Sequence, residues 1–129
     1  MAGTLTIDTL KVSSGVLATQ NGMTGIAKAW VNWNGSTATI RDSFNVSSVT
    51  RSATGNYLVN FTTAMPNANY AVAVSVSSMP AVSDANLISL DNTSGSRTNP
   101  TTTALAVSTF NAQFNYLDIT YIRLAVFSS

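Results

Sequence analysis

The sequence contains no cysteine, no histidine and no glutamate, and only 9% of its residues are charged. Without cysteine the chain can form no disulfide bond and offers no thiol chemistry. Without histidine it cannot assemble a Ser-His-Asp triad or a Cys-His pair, and the usual zinc shells are excluded as well. The composition therefore predicts that this protein is not an enzyme and holds no metal or cofactor.

The five aspartates leave little room for other catalytic chemistry. Hydrolysis by paired carboxylates would have to use two of them, and only Asp84 and Asp91 fall in loop-like sequence. The acidic residues are too sparse to predict a calcium loop. Gly22, Gly25 and Gly35 are isolated turn residues, so no phosphate-binding glycine loop is expected either.

The few charges are spread evenly, with six basic and five acidic residues and a net charge of +1. No basic stripe exists, and nucleic acid is therefore not an expected partner. The first residues lack the basic start and apolar core of a signal peptide, and no run reaches the roughly 18 apolar residues of a membrane span. We expect no membrane insertion, and if the protein leaves the cell we expect it to leave by lysis inside a particle.

What the chain has in quantity is Ser, Thr and Asn, together with 45% apolar residues. A neutral surface rich in hydroxyl groups is common on extracellular and virion β-proteins. The length of 129 residues suits one hydrophobic core.

The dominant hydrophobic period is two, which predicts β-strands throughout. Strands are expected at 26–34, 37–41, 43–51, 57–62, 70–78, 87–91, 104–111 and 119–127. Asn34-Gly35 should form a hairpin turn with positive φ angles, and residues 43–62 should form a second hairpin. Strands at this spacing predict an all-β fold, an antiparallel β-sandwich of the jelly-roll-like or Ig-like kind.

Two tryptophans lie three residues apart, so on a strand they must face opposite sides. One ring is expected in the core, and the other at the surface or between subunits. Trp33 is a candidate ligand-binding residue, since a sugar ring can stack on an indole, although core or interface burial is the commoner role.

A loop at 91–103 is the second candidate for recognition, because loops on a rigid scaffold often carry binding residues. Its side chains that could bind sugar hydroxyls are Asp91, Asn92, Arg97 and Asn99. The alternative is an ordinary solvated loop.

Three blocks of the sequence resemble a module found near the C-termini of tail-fibre and fibre-like proteins of marine and other phages and prophages. The blocks are GIAKAWVNWNG at 25–35, IRDSFNVSSVT at 40–50 and GNYLVNFTTAMPNANYAV at 55–72. The closing IRLAVF at 122–127 is also similar to the final strand of that family. The resemblance implies a virion β-domain, commonly a homotrimer.

That family module usually ends a much longer fibre, whereas about 24 residues precede it in this sequence. We expect residues 25–129 to form the fibre-tip-like domain and residues 1–24 to form an anchoring segment that docks on another virion protein. The apolar anchoring contacts would be Leu5, Ile7, Leu10 and Val12. Self-association as a trimer would also cover edge strands that few charges protect.

Three functions remain open from the sequence. The first is a fibre-tip protein that attaches the virion to a host surface glycan or protein. The second is a capsid or tail decoration protein with a purely structural role. The third, a polysaccharide depolymerase, would depend on Asp84 and Asp91.

Overall fold

The computed structural model describes residues 3, 26–78, 86–90 and 100–128. Within these ranges the chain forms eight strands: β1 Ala27–Trp33, β2 Ile40–Phe44, β3 Val46–Ala53, β4 Asn56–Phe61, β5 Ala71–Ser77, β6 Leu87–Ser89, β7 Ala104–Phe110 and β8 Tyr121–Phe127. In these described segments no helix is long and apolar enough to cross a membrane.

The strands form two antiparallel four-stranded sheets. The first sheet has the order β2-β1-β8-β5, and the second has the order β3-β4-β7-β6. This arrangement confirms the all-β antiparallel prediction and is consistent with a β-sandwich. The predicted second hairpin is confirmed as β3 paired with β4.

Alternation along the strands builds the core between the sheets. In β8, Ile122, Leu124 and Val126 are buried while Arg123 points to solvent. This is the phase that the sequence predicts for the last strand. Burying each of these aliphatic side chains contributes about 1.5–3 kcal/mol to folding, which makes the apolar alternation the main source of stability.

Asn45 turns the chain from the first sheet into the second, between β2 and β3. Its φ of 54° lies in the left-handed region, where Asn is among the better tolerated non-glycine residues. Its Nδ2 donates to the carbonyl oxygens of Lys28 (2.9 Å) and Thr63 (3.1 Å), and its Oδ1 accepts from the Thr63 N–H at 2.7 Å. One side chain therefore fixes the corner and ties both neighbouring segments to it.

The first predicted hairpin is wrong in its details. The turn after β1 is longer than Asn34-Gly35, and β2 begins at Ile40 rather than at residue 37. The Asn34 side chain accepts the Ser36 N–H, and the Asn34 N–H donates to the Thr39 carbonyl. The left-handed φ falls on Ala38, at 54°, and not on Gly35.

Gly35 is required for space rather than for backbone angle. A Cβ at this position would lie 2.5 Å from the Ile119 carbonyl oxygen and 2.5 Å from the Tyr57 hydroxyl. The Gly35 N–H donates to the Ile119 carbonyl. The turn after β1 thus packs directly against the segment that leads into β8, a long-range contact with no local sequence signal.

Candidate functional site

The exposed side of the first sheet carries a shallow depression, called here the outer groove. In the strand register Trp30 lies opposite Ala125, and Asn32 lies opposite Arg123. Directly opposed residues on antiparallel strands project from the same face, which sets these side chains beside one another. The outward side chains of the groove are Trp30, Asn32, Ala73, Ser75, Arg123 and Ala125.

The groove exists because large and small side chains are unevenly placed on this face. The outward side chains are small on two neighbouring strands, at Ala73 and Ser75 of β5 and at Ala125 of β8. The large side chain of Trp30, on β1, lies beside them. The space has a volume of about 350 Å³. Trp30 is 37% exposed, so part of its ring is available to a ligand.

A β-bulge brings Arg41 to this face. The register shifts between Asn32 and Trp33, leaving Arg41 as the extra residue of β2, and such bulges commonly redirect a side chain. The Arg41 guanidinium carbon lies 4.2 Å from the centroid of the Tyr121 ring. Its Nη2 donates to the Thr120 carbonyl at 2.9 Å. The guanidinium is therefore held against the aromatic ring by a fixed backbone acceptor.

Arg123 approaches the same ring from β8. Its guanidinium carbon lies 5.2 Å from the Tyr121 centroid, and Nη1 donates to the Ser77 Oγ at 3.3 Å. Within the part of the chain that the structure describes, the one ion pair joins Arg51 to Asp118, so neither Arg41 nor Arg123 is neutralised by a carboxylate at ion-pair distance. Arg123 thus lines the groove as a cationic side chain, and Arg41 lies against the same Tyr121 ring.

A second polar cluster, away from the groove, is structural. The Asp118 carboxylate accepts hydrogen bonds from Arg51 (2.7 Å), the Gly55 N–H (2.8 Å) and the Tyr57 hydroxyl (2.7 Å). Partial burial acts to raise the pKa of Asp118, but the hydrogen bonds from these three donors outweigh it and hold the pKa below its usual value. This carboxylate is already occupied by its own donors and is poorly placed to take a proton from a substrate.

Burial also raises the pKa of the Tyr57 hydroxyl, and the hydrogen bond to Asp118 acts in the same direction. Tyr57 is 1% exposed, so it cannot reach a ligand from outside. We therefore assign this cluster to joining the sheets. Among the described residues no group of three or more His, Cys, Asp or Glu side chains is placed to hold a metal ion.

The structure corrects the assignment of Trp33 as a ligand-binding residue. The two tryptophans do face opposite sides, as predicted, but Trp33 is fully buried. Its ring makes an edge contact with Tyr57, with the centroids 5.8 Å apart. The exposed indole is that of Trp30, because a residue three positions away on a strand points to the opposite face.

The other predicted site residues lie outside the described residues. These are the loop candidates Asp91, Asn92, Arg97 and Asn99, the anchoring candidates Leu5, Ile7, Leu10 and Val12, and the aspartates Asp84 and Asp91 of the depolymerase reading. They stay predictions.

Sequence reasoning missed Arg41, Tyr121 and Arg123 as one cluster. The alternation of β8 places Tyr121 and Arg123 on one face and was visible in the sequence. No signal showed that β1 and β5 flank β8, or that a bulge turns Arg41 toward the same ring. No family model, curated protein or solved structure matches this chain.

Proposed function

We propose that this chain is a non-enzymatic β-domain of a phage virion, a fibre-tip or fibre-like component that attaches the particle to its host by binding a surface glycan in the outer groove. The observation that carries the proposal is the exposed Trp30 ring beside a groove lined by Asn32, Ser75 and Arg123. An indole packs on the apolar face of a sugar, while amide, hydroxyl and guanidinium groups can bind its hydroxyls.

The virion setting rests on the sequence resemblance to phage fibre modules and on the neutral surface rich in hydroxyl groups. Catalysis is not part of the proposal, because the chain has no histidine, cysteine or glutamate. Residues 1–24 would anchor the domain to another virion protein through Leu5, Ile7, Leu10 and Val12. The loop at 91–103 could extend recognition beyond the groove.

We further propose a homotrimer of β-sandwich domains of the jelly-roll-like or Ig-like kind. Three weak sites on one particle tip would act together with a high effective concentration. A stable monomer in light scattering at micromolar concentration would contradict the trimer.

The test of attachment is binding of the free protein to host cells. The Trp30→Ala variant should lose most of the binding, because it removes the stacking surface. Phe114→Ala is a matched control, since that ring is 76% exposed and does not line the groove. Equal binding by the wild type and Trp30→Ala would contradict the proposed site.

A structural decoration protein is the alternative, and one observation favours it. Among the described strands, β5 forms an edge of the first sheet over seven residues, AVAVSVS, with neither a charge nor a proline to discourage pairing. Its valines Val72, Val74 and Val76 are only partly buried. Cryo-electron microscopy of the particle separates the two functions: symmetric copies on the capsid, with no cell binding by the free protein, would favour decoration.

The depolymerase reading is tested separately. An enzyme would turn over host polysaccharide, and Asp84→Asn or Asp91→Asn should abolish the turnover. Under the proposed function the wild-type protein binds polysaccharide without shortening it, as measured by size-exclusion chromatography of the polymer.

A further inference from the structure

Two guanidinium groups contact the Tyr121 ring, next to the part of the outer groove that Arg123 lines. The guanidinium carbons of Arg41 and Arg123 both lie within 5.2 Å of the centre of the Tyr121 ring. They come from different strands, β2 and β8, which are separated in the first sheet by β1. Two of the six basic residues of the chain therefore lie at one aromatic ring.

Both groups are held in place before any ligand arrives. Arg41 donates a hydrogen bond from Nη2 to the Thr120 carbonyl, and its Nη1 lies 3.5 Å from Asn32 Oδ1. Arg123 donates a hydrogen bond to the Ser77 hydroxyl. Less side-chain freedom therefore remains to be lost on binding. Each guanidinium has five N–H groups, more than these contacts use.

The charge at this end of the groove is only partly balanced. In the described segments neither arginine forms an ion pair. Asp42 is the nearby acidic residue in the strand register, opposite Asn32, and its Oδ1 accepts the Ser43 N–H. Among the residues that the structure describes, two cations against one anion give this end of the face a positive potential.

We propose that the outer groove binds a sugar that carries a carboxylate, such as a uronic acid unit of a polysaccharide. Arg123, which lines the groove, contacts the carboxylate, Arg41 adds positive charge beside the same Tyr121 ring, and Trp30 packs on the sugar ring. The planar guanidinium fork matches a carboxylate and forms charge-assisted hydrogen bonds that are stronger than those to hydroxyls. The inference rests on the proposed function and specifies the chemical class of its ligand.

The test is a titration of the full chain with acidic oligosaccharides, each beside its methyl ester. The probes are oligogalacturonate, oligoglucuronate and sialyllactose. At least one acid should bind about ten- to a hundredfold tighter than its own ester, the range expected for charge-assisted hydrogen bonds. The difference should shrink as salt is raised, because these arginines are exposed to solvent.

Three variants separate recognition from folding. Arg41→Gln and Arg123→Gln should each reduce the difference in affinity between the acid and its ester. Arg123→Lys should restore part of that difference, because it returns the positive charge. Asp42→Asn should bind the acid more tightly than the wild type, a gain that a damaged fold would not produce. Circular dichroism and the unfolding midpoint check that each variant is folded.

The results also separate this inference from the proposed function. If acids and esters bind equally well and Trp30→Ala weakens both, the carboxylate inference is overturned while glycan binding stands. If no probe binds but the free protein adheres to host cells through Trp30, the inference is again overturned. If neither probes nor host cells are bound, both are rejected.

Discussion

The hydroxyl of Tyr57 donates a hydrogen bond of 2.7 Å to Oδ1 of Asp118, joining β4 of the second sheet to the segment that enters β8 of the first. The two residues are 61 positions apart in the chain. The same carboxylate oxygen also accepts the Gly55 N–H in the β3–β4 turn. One side chain therefore connects three segments of the fold.

Replacing Asp118 by Ala should lower the free energy of unfolding by about 2–4 kcal/mol, because the buried Tyr57 hydroxyl and the Gly55 N–H both lose their acceptor. Urea denaturation measures the change. The control is Asp42→Ala, which removes an exposed carboxylate with a purely local hydrogen bond and should stay within about 0.5 kcal/mol of wild type. Similar losses for both variants would contradict a joining role for Asp118.

Stability should fall at acid pH through Asp118. Its pKa is lower in the folded protein than the value of about 3.9 in the unfolded chain, so its contribution is complete above that value and is lost as pH falls through the lower, folded pKa. Asp118→Asn should flatten this part of the stability profile, measured by unfolding midpoints at successive pH values. An unchanged acid slope would show that other carboxylates cause it.

Gly55→Ala should destabilise the protein by about 1–3 kcal/mol or more. Gly55 has a φ of +67°, and a Cβ there would lie 2.5 Å from the Thr109 carbonyl oxygen. Ala38→Gly provides the opposite change at a left-handed residue, φ 54°, and should be neutral or stabilising by up to about 1 kcal/mol. Thermal unfolding compares the two, and destabilisation by Ala38→Gly would contradict the assigned backbone strain.

Asn45 provides both a left-handed backbone angle and three side-chain hydrogen bonds. Asn45→Gly should lose only the hydrogen bonds, while Asn45→Ala should lose them and add backbone strain. The free energy of unfolding should therefore be about 1 kcal/mol lower for Asn45→Ala than for Asn45→Gly. Denaturant unfolding of the two variants tests the order. A reversed order would mean that the corner does not need the left-handed angle.

The two tryptophans should give different fluorescence. Trp33→Phe leaves the partly exposed Trp30, and its emission should shift to longer wavelength and be quenched by acrylamide. Trp30→Phe leaves the buried Trp33, which should emit at shorter wavelength and resist quenching. A glycan in the outer groove should alter the spectrum of Trp33→Phe and leave that of Trp30→Phe unchanged.

The strands could be predicted because burial on one face imposes a period of two on the sequence. Ile122, Leu124 and Val126 follow it directly, and so does the opposite orientation of Trp30 and Trp33. The first turn was predicted poorly because Gly35 is selected by crowding from Ile119 and Tyr57, which are distant in the chain. Local propensity contains no information about such contacts.

The sequence by itself determined the all-β class and the lack of histidine, cysteine and glutamate chemistry, since composition and alternation are properties of single positions and their near neighbours. Only the tertiary structure decided which tryptophan is exposed and that Arg41 and Arg123 share one aromatic ring. Those facts depend on strand order, register and one bulge, which arise from the packing of segments far apart in the chain.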